Sequence, residues 1–217
     1  MTQPIILLTG FEPFEQEPLN PSWEAVRALD GWQCEGARVV ARQLPCVFGV
    51  ALQTLDTLLA EFKPVLVLCV GQAGGRSQLS LERVAINVDD ARIADNAGRQ
   101  PIDRPIYGDG PAAYFSTLPI KGMVKAMRAA GAPAEVSQTA GTFVCNHVFY
   151  GLMHSLAQHK PAVRGGFMHI PYIPSQAVRH PGQPSLALDI VIDGLRAALQ
   201  SAMTLQQDVF EGGGQLH

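Results

Sequence analysis

PVLVLCVG, Pro64 to Gly71, is an unbroken apolar run. A strand with one wet face alternates apolar and polar residues, so a run like this predicts a strand covered on both faces, as in a parallel sheet. Before it, Val47 to Phe62 reads as a helix, with apolar residues at Val50, Leu55, Leu58 and Leu59. The same alternation continues outward in both directions. Ile5 to Thr9 predicts a first strand ending at Gly10. Pro21 and Ser22 then open a helix through Trp23, Val26 and Leu29, with the proline where its missing N–H is harmless. Arg38 to Leu44 is a second strand, Val65 to Val70 the third, and Leu81 to Val88 a fourth with Val84, Ile86 and Val88 on one face.

Further along, Asp89 to Pro119 is irregular and rich in Asp, Gly and Pro, the kind of long loop that covers a site. Ile120 to Ala130 reads as a helix, Glu135 to Thr139 and Gly165 to Pro171 as strands. Leu186 to Met203 is a closing helix with Leu188, Val191, Ile192, Leu195 and Leu199 on one face. Strands alternating with helices predict an α/β fold with a largely parallel sheet. No internal repeat or linker is visible. A single domain over residues 1–209 is expected, followed by a flexible tail, 210–217, that ends EGGGQLH.

The 217 residues are 47% apolar and 16% charged, which suits one domain with a sizeable core. Net charge is −3 and no Lys/Arg-rich run occurs, so nucleic acid is not an expected partner. The N-terminal MTQPIILLTGFEPF lacks a basic leader, and no stretch nears the roughly 18 apolar residues of a membrane span. A soluble, cytoplasmic chain with no membrane partner is expected. Cys34, Cys46, Cys69 and Cys145 form no CxxC pair, so neither a disulfide framework nor a zinc site is expected.

Cys145 has the most reactive setting of the four. In GTFVCNH, Gly141 to His147, it directly opens an apolar-periodic run through Val148, Phe149, Leu152, Met153 and Leu156. Such a run predicts a helix, and unpaired N–H groups at a helix N-terminus favour a thiolate and lower the thiol pKa. A buried packing cysteine is the plain alternative. His169, in GGFMHIPY at a strand end, is the preferred base for that thiol, although a lone strand histidine is more often a satisfied core residue. His147 is too close in sequence to face the thiol. His154 and His159 lie along or after the helix, and His180 in a loop.

Glu82, in LERVAIN, is either an exposed strand-edge charge or the carboxylate that orients the imidazole. GQAGGR, Gly71 to Arg76, lacks phosphate-loop spacing and reads as a tight turn allowing close backbone approach. Phe11 and Phe14 of GFEPF are core filling or the walls of an apolar pocket. Arg92 is a solvated charge or an aid to an oxyanion. Gly10-Phe11, Gly71-Gln72, Cys145 and His169 all fall at strand ends, where ligands sit in open α/β sheets.

GFEPF with NPSW, GQAGGR with ERVAIN, DNAG, QPID, QTAGTFVCNH and GGFMHIPY run in order from Gly10 to Tyr172. Together they resemble the type I pyroglutamyl peptidases, the pyrrolidone-carboxylate family of cysteine peptidases. The resemblance implies a single-domain α/β/α sandwich, a Cys145–His169–Glu82 triad, and Arg92 near the thiol. It also implies that Phe11 and Phe14 flank the substrate ring, that backbone groups around Gln72 and Phe143 pair with the lactam, and that no metal or cofactor takes part. The implied substrates are peptides with N-terminal pyroglutamate, cleaved through a thioester, and the implied assembly is a homotetramer. Glu15 and Gln16 stand where the family usually has a glycine pair. A non-catalytic α/β binding module and a different α/β hydrolase are the competing readings.

Overall fold

The computed structural model describes residues 3–160 and 162–214. In chain order these form β1 Ile5–Phe11, α1 Pro21–Arg27, β2 Gln33–Cys34, β3 Ala37–Leu44, α2 Val50–Phe62, β4 Leu66–Gln72, β5 Leu79–Glu82 and β6 Val84–Ile86. There follow β7 Ala113–Phe115, α3 Ile120–Ala129, β8 Ala134–Ser137, α4 Val144–His159, β9 Arg164–Ile170, α5 Pro174–Ala177 and α6 Leu188–Thr204. A seven-stranded sheet has the order β2-β3-β1-β4-β9-β5-β8. β1 is parallel to β3 and β4, β4 to β9, and β5 to β8, while β2 runs antiparallel to β3 and β5 antiparallel to β9.

The alternation of β4 shows why the apolar run was diagnostic. Leu66, Leu68 and Val70 pack on the face shared with α1, α3 and α6; Val67 and Cys69 pack on the face shared with α2 and α4. All five are fully buried. Each such aliphatic side chain contributes roughly 1.5–3 kcal/mol by leaving water. β1 divides in the same way, with Ile6 and Leu8 on the first face and Leu7 on the second. The result is the expected single-domain α/β/α sandwich with a largely parallel, mixed sheet.

Several boundaries differ from the sequence expectation. The fourth strand, expected over Leu81 to Val88, is two strands. β5 stays in the large sheet, while β6 leaves it to pair with β7 inside the stretch expected to be irregular. Arg83 is the transfer point: its N–H donates to the Ser137 carbonyl of the large sheet and its own carbonyl accepts from Ser116 N–H. α2 begins at Val50 rather than Val47, because Gly49 precedes it at φ 74°, a left-handed conformation suited to glycine. In the expected tail, Gly213 O accepts from Arg83 Nη2, and Glu211 pairs with Lys125. Residues 215–217 of that tail lie outside the described residues.

The connection from β1 goes through α1 to β3 on one side, and the chain then returns to β4 on the other. The sheet's switch point therefore falls between β1 and β4, at Phe11 and Gln72. Local contacts fix this end. The Asn20 side chain caps α1 by accepting from Ser22 N–H at 3.0 Å, a contact worth about 1 kcal/mol. Ser22 Oγ in turn accepts from Phe11 N–H at 3.0 Å. Gly10 allows the approach, since a Cβ there would lie 2.8 Å from the Ser22 backbone. No helix among the described residues is long and apolar enough to cross a membrane.

Candidate active site

A cavity of about 300 Å³ opens at the carboxyl ends of β1, β4 and β9. Phe11 and Phe14 reach it from the end of β1, Gln72 from β4 and His169 from β9. Phe143 and Cys145 enter from the start of α4. Phe143 links the aromatic wall, with Phe14 at 6.4 Å and Phe48 edge-on at 5.3 Å between ring centroids. All six residues were expected at the site from the sequence.

Cys145 is the second residue of α4, whose extended N-cap is Phe143. The N–H groups from Phe143 to Asn146 have no acceptor among the described residues, as a first helical turn leaves them. The sulfur rests against the sheet where there is no side chain. A Cβ on Gly71 would lie 2.8 Å from Sγ and 2.9 Å from Phe167 Cζ. Gly71 is also the register partner of His169, so the thiol of α4 rests on β4 beside the strand that carries the imidazole.

One electrostatic expectation is reversed. Burial, reinforced by Cys46, Glu82 and Cys69, pushes the Cys145 thiol well above its ordinary value of 9.0, with Arg76 pulling the other way. Burial also lowers His169 from 6.5, against the raising effect of its hydrogen bond and attraction to Glu82, with Arg76 lowering it further. Burial thus disfavours the charged form of both the thiol and the imidazole.

Glu82 ends β5 and is fully buried, so the exposed-edge alternative does not hold. Its Oε1 accepts from His169 Nδ1 at 2.7 Å. A carboxylate oxygen can only accept, so Nδ1 carries the proton and Nε2 keeps its lone pair. The same Oε1 accepts from Arg76 Nη1 at 2.7 Å, and Arg76 Nη2 donates to the Thr139 carbonyl. Arg76 lines the cavity as well. The sequence reading treated it only as part of a turn. Its partner lies six residues on, a spacing with no helical or strand meaning, so nothing local signalled the pair.

Among the described residues, Arg92 is the one candidate that neither lines the cavity nor bonds to a residue that does, although Asp90, two residues earlier, exchanges two hydrogen bonds with the cavity residue Thr142. Arg92 itself is exposed, on the bend after Asp90-Ala91. The other histidines have different partners. His147 Nδ1 meets Asp89 Oδ2 at 2.8 Å while its Nε2 accepts from Gly49 N–H, which pins three segments together. His154 Nδ1 lies 3.0 Å from the Tyr114 hydroxyl, and His180 Nε2 lies 2.8 Å from Glu17 Oε1.

A doubly covered sheet carrying a buried carboxylate, an imidazole and a helix-terminal thiol at its switch point is the framework of an α/β thiol hydrolase. A family model described as pyroglutamyl peptidase matches residues 5–205, and the chain belongs to that family. The pyrrolidone-carboxylate peptidase of Cupriavidus taiwanensis is 69% identical over 215 residues, covering 99% of this chain and all of the relative. That of Yersinia pestis is 57% identical over 212 residues, covering 98% of this chain and 99% of the relative. Among solved structures, pyroglutamyl peptidase I from Bacillus amyloliquefaciens superposes with a TM-score of 0.95 at 48% identity, covering 97% of this chain and 100% of that one. A pyrrolidone carboxyl peptidase from Pyrococcus furiosus gives 0.89 at 41% identity, covering 92% and 98%.

Proposed function

We propose that the chain is a cysteine peptidase that removes an N-terminal pyroglutamyl residue from peptides, with Cys145 as nucleophile, His169 as acid–base and Glu82 as its orienting carboxylate. The hydrogen bond from His169 Nδ1 to Glu82 Oε1 is the observation that carries this reading, because it leaves Nε2 free to accept a proton. As Sγ attacks the carbonyl carbon of the pyroglutamyl residue, His169 Nε2 takes the thiol proton. The electron pair moves to the carbonyl oxygen, and the free N–H groups at the start of α4 receive the oxyanion. Collapse of the intermediate breaks the C–N bond, and the His169 proton passes to the leaving amine. Water, deprotonated by His169, then hydrolyses the thioester and returns the thiol.

The substrate ring is a neutral lactam with no ammonium, so a carboxylate-lined pocket would have nothing to bind. The walls supplied by Phe11, Phe14 and Phe143 suit the ring, and backbone groups around Gln72 and Phe143 suit its amide. An N-terminal proline presents the ring without the carbonyl and leaves buried amide groups unpaired. One catalytic domain through residue 209, a cytoplasmic location and a homotetramer complete the proposal. The four cysteines are free thiols, which fits a reducing compartment. The test is turnover of a chromogenic pyroglutamyl amide against its prolyl counterpart. The parent should cleave the first far faster and lose that activity on treatment with iodoacetamide, and Cys145→Ser should fold but not turn over. Full activity in Cys145→Ser, with Cys34, Cys46 and Cys69 intact, would remove Cys145 as the nucleophile.

A further inference from the structure

Gln176 stands third in the short helix α5, and its side chain is wholly buried. Its Oε1 accepts from the Ile173 N–H at 3.3 Å, as a residue at that position of a helix often does. A backbone N–H can only donate, so the Gln176 oxygen must face Ile173 and its amide nitrogen must face the other way. That nitrogen lies 3.0 Å from Gln72 Oε1 and 3.5 Å from Glu17 Oε2. Glu17, a carboxylate, can only accept, which requires the same orientation. Burial works against the Glu17 charge, but hydrogen bonds from His180 and Gln176 and the charge of Arg179 hold its pKa below 4.5.

The network therefore ends in groups whose roles cannot be exchanged, and both glutamine amides are fixed by them. Gln72 spends its oxygen on Gln176. Its amide nitrogen has no acceptor among the described residues. Gln72 lines both the main cavity and an adjoining one bordered by Glu15, Glu17, Tyr172 and His180.

We propose that Gln176 is a positioning residue for substrate selection. By holding the Gln72 oxygen, it makes the amide N–H₂ the only free end of that side chain, so this wall of the cavity acts as a donor. A donor wall accepts a ligand with a carbonyl at that place, which the lactam ring provides and a pyrrolidine ring does not. This inference rests on the pyroglutamyl reading above.

A double-mutant cycle of Gln72→Met and Gln176→Met tests it, read by kinetics on the chromogenic pyroglutamyl amide. A second readout is protection of Cys145 from iodoacetamide by 2-pyrrolidone, which reports ring binding without turnover. Gln176→Met should raise KM and the half-protecting concentration of 2-pyrrolidone about tenfold, the scale of one hydrogen bond. Its kcat and its unprotected alkylation rate should stay within about twofold. In the Gln72→Met background the same change should add nothing. Unchanged KM and protection in Gln176→Met, or an equal penalty in both backgrounds, would overturn the positioning role. Failure of the pyroglutamyl reading looks different: the parent itself would neither cleave the amide nor be protected by 2-pyrrolidone.

Discussion

At Cys145 two effects oppose one another. The first turn of α4 favours a thiolate by about 0.3–1 kcal/mol, up to roughly 2 in partly buried sites. Desolvation reaches about 3–5 pKa units only for fully buried groups, at about 1.4 kcal/mol per unit, and Cys145 is half-buried. Burial is still the larger, which is why the thiol is raised although its position on the helix was read correctly. Burial likewise places the acid limb of kcat/KM, set by His169, below its ordinary 6.5. Glu82 raises the His169 pKa and Arg76 lowers it, so two variants should move that limb in opposite directions. Arg76→Met should shift it to higher pH. Glu82→Gln should shift it to lower pH and reduce kcat by about 10²-fold or more, since the imidazolium loses its support. Parallel shifts, or none, in pH–rate profiles would show that Arg76 and Glu82 do not act through His169.

Elements were legible where their hydrophobic period was long and unambiguous. β4 and α6 follow their predicted spans closely because one reads as continuously apolar and the other keeps a single apolar face over several turns. The split at Arg83 left one trace in the sequence: the apolar positions are odd in β5, Leu79 and Leu81, and even in β6, Val84 and Ile86, so the alternation slips by one residue at Glu82-Arg83, and a single expected strand over Leu81 to Val88 passes over that slip. Two-residue β2 and four-residue α5 carry too few side chains for any period to show. Within β4, the residue that decides function is the one without a side chain. Gly71→Ala would place a Cβ 2.8 Å from Cys145 Sγ and 2.9 Å from the Phe167 ring. Overpacking of this kind typically destabilises by about 1–3 kcal/mol. The variant should show a lower denaturation midpoint and a disproportionate loss of turnover, measured by urea unfolding beside the amide assay. A parent-like rate would mean that the thiol has room to work from another position.

For the whole molecule, the buried thiols tie stability to alkaline pH. Burial raises Cys46 and Cys69 from 9.0 to about 12 each, with Cys34 at about 11. A raised folded pKa means that the unfolded chain releases its protons first as pH rises. The stabilisation is thus complete below 9.0 and is lost progressively toward 12. Each of the two deepest thiols withdraws up to about 1.4 kcal/mol per pH unit across that window. Urea midpoints measured from about pH 8 to about pH 11 should fall steadily, and a flat profile would show that the thiols ionise without unfolding. The convergence of the cavity residues was legible because a parallel sheet gathers its strand ends on one edge. The Arg76 pair and the Gln176 network were not, since both depend on how loops fold back over that edge.

The central claim is a thioester on Cys145, and trapping it is the direct measurement. Acid-quenching the enzyme during turnover of a pyroglutamyl amide, followed by peptide mass mapping, should find one pyroglutamyl group on the peptide that contains Cys145, removable by hydroxylamine. An adduct on another residue, or steady turnover with Cys145 never modified, would contradict the account.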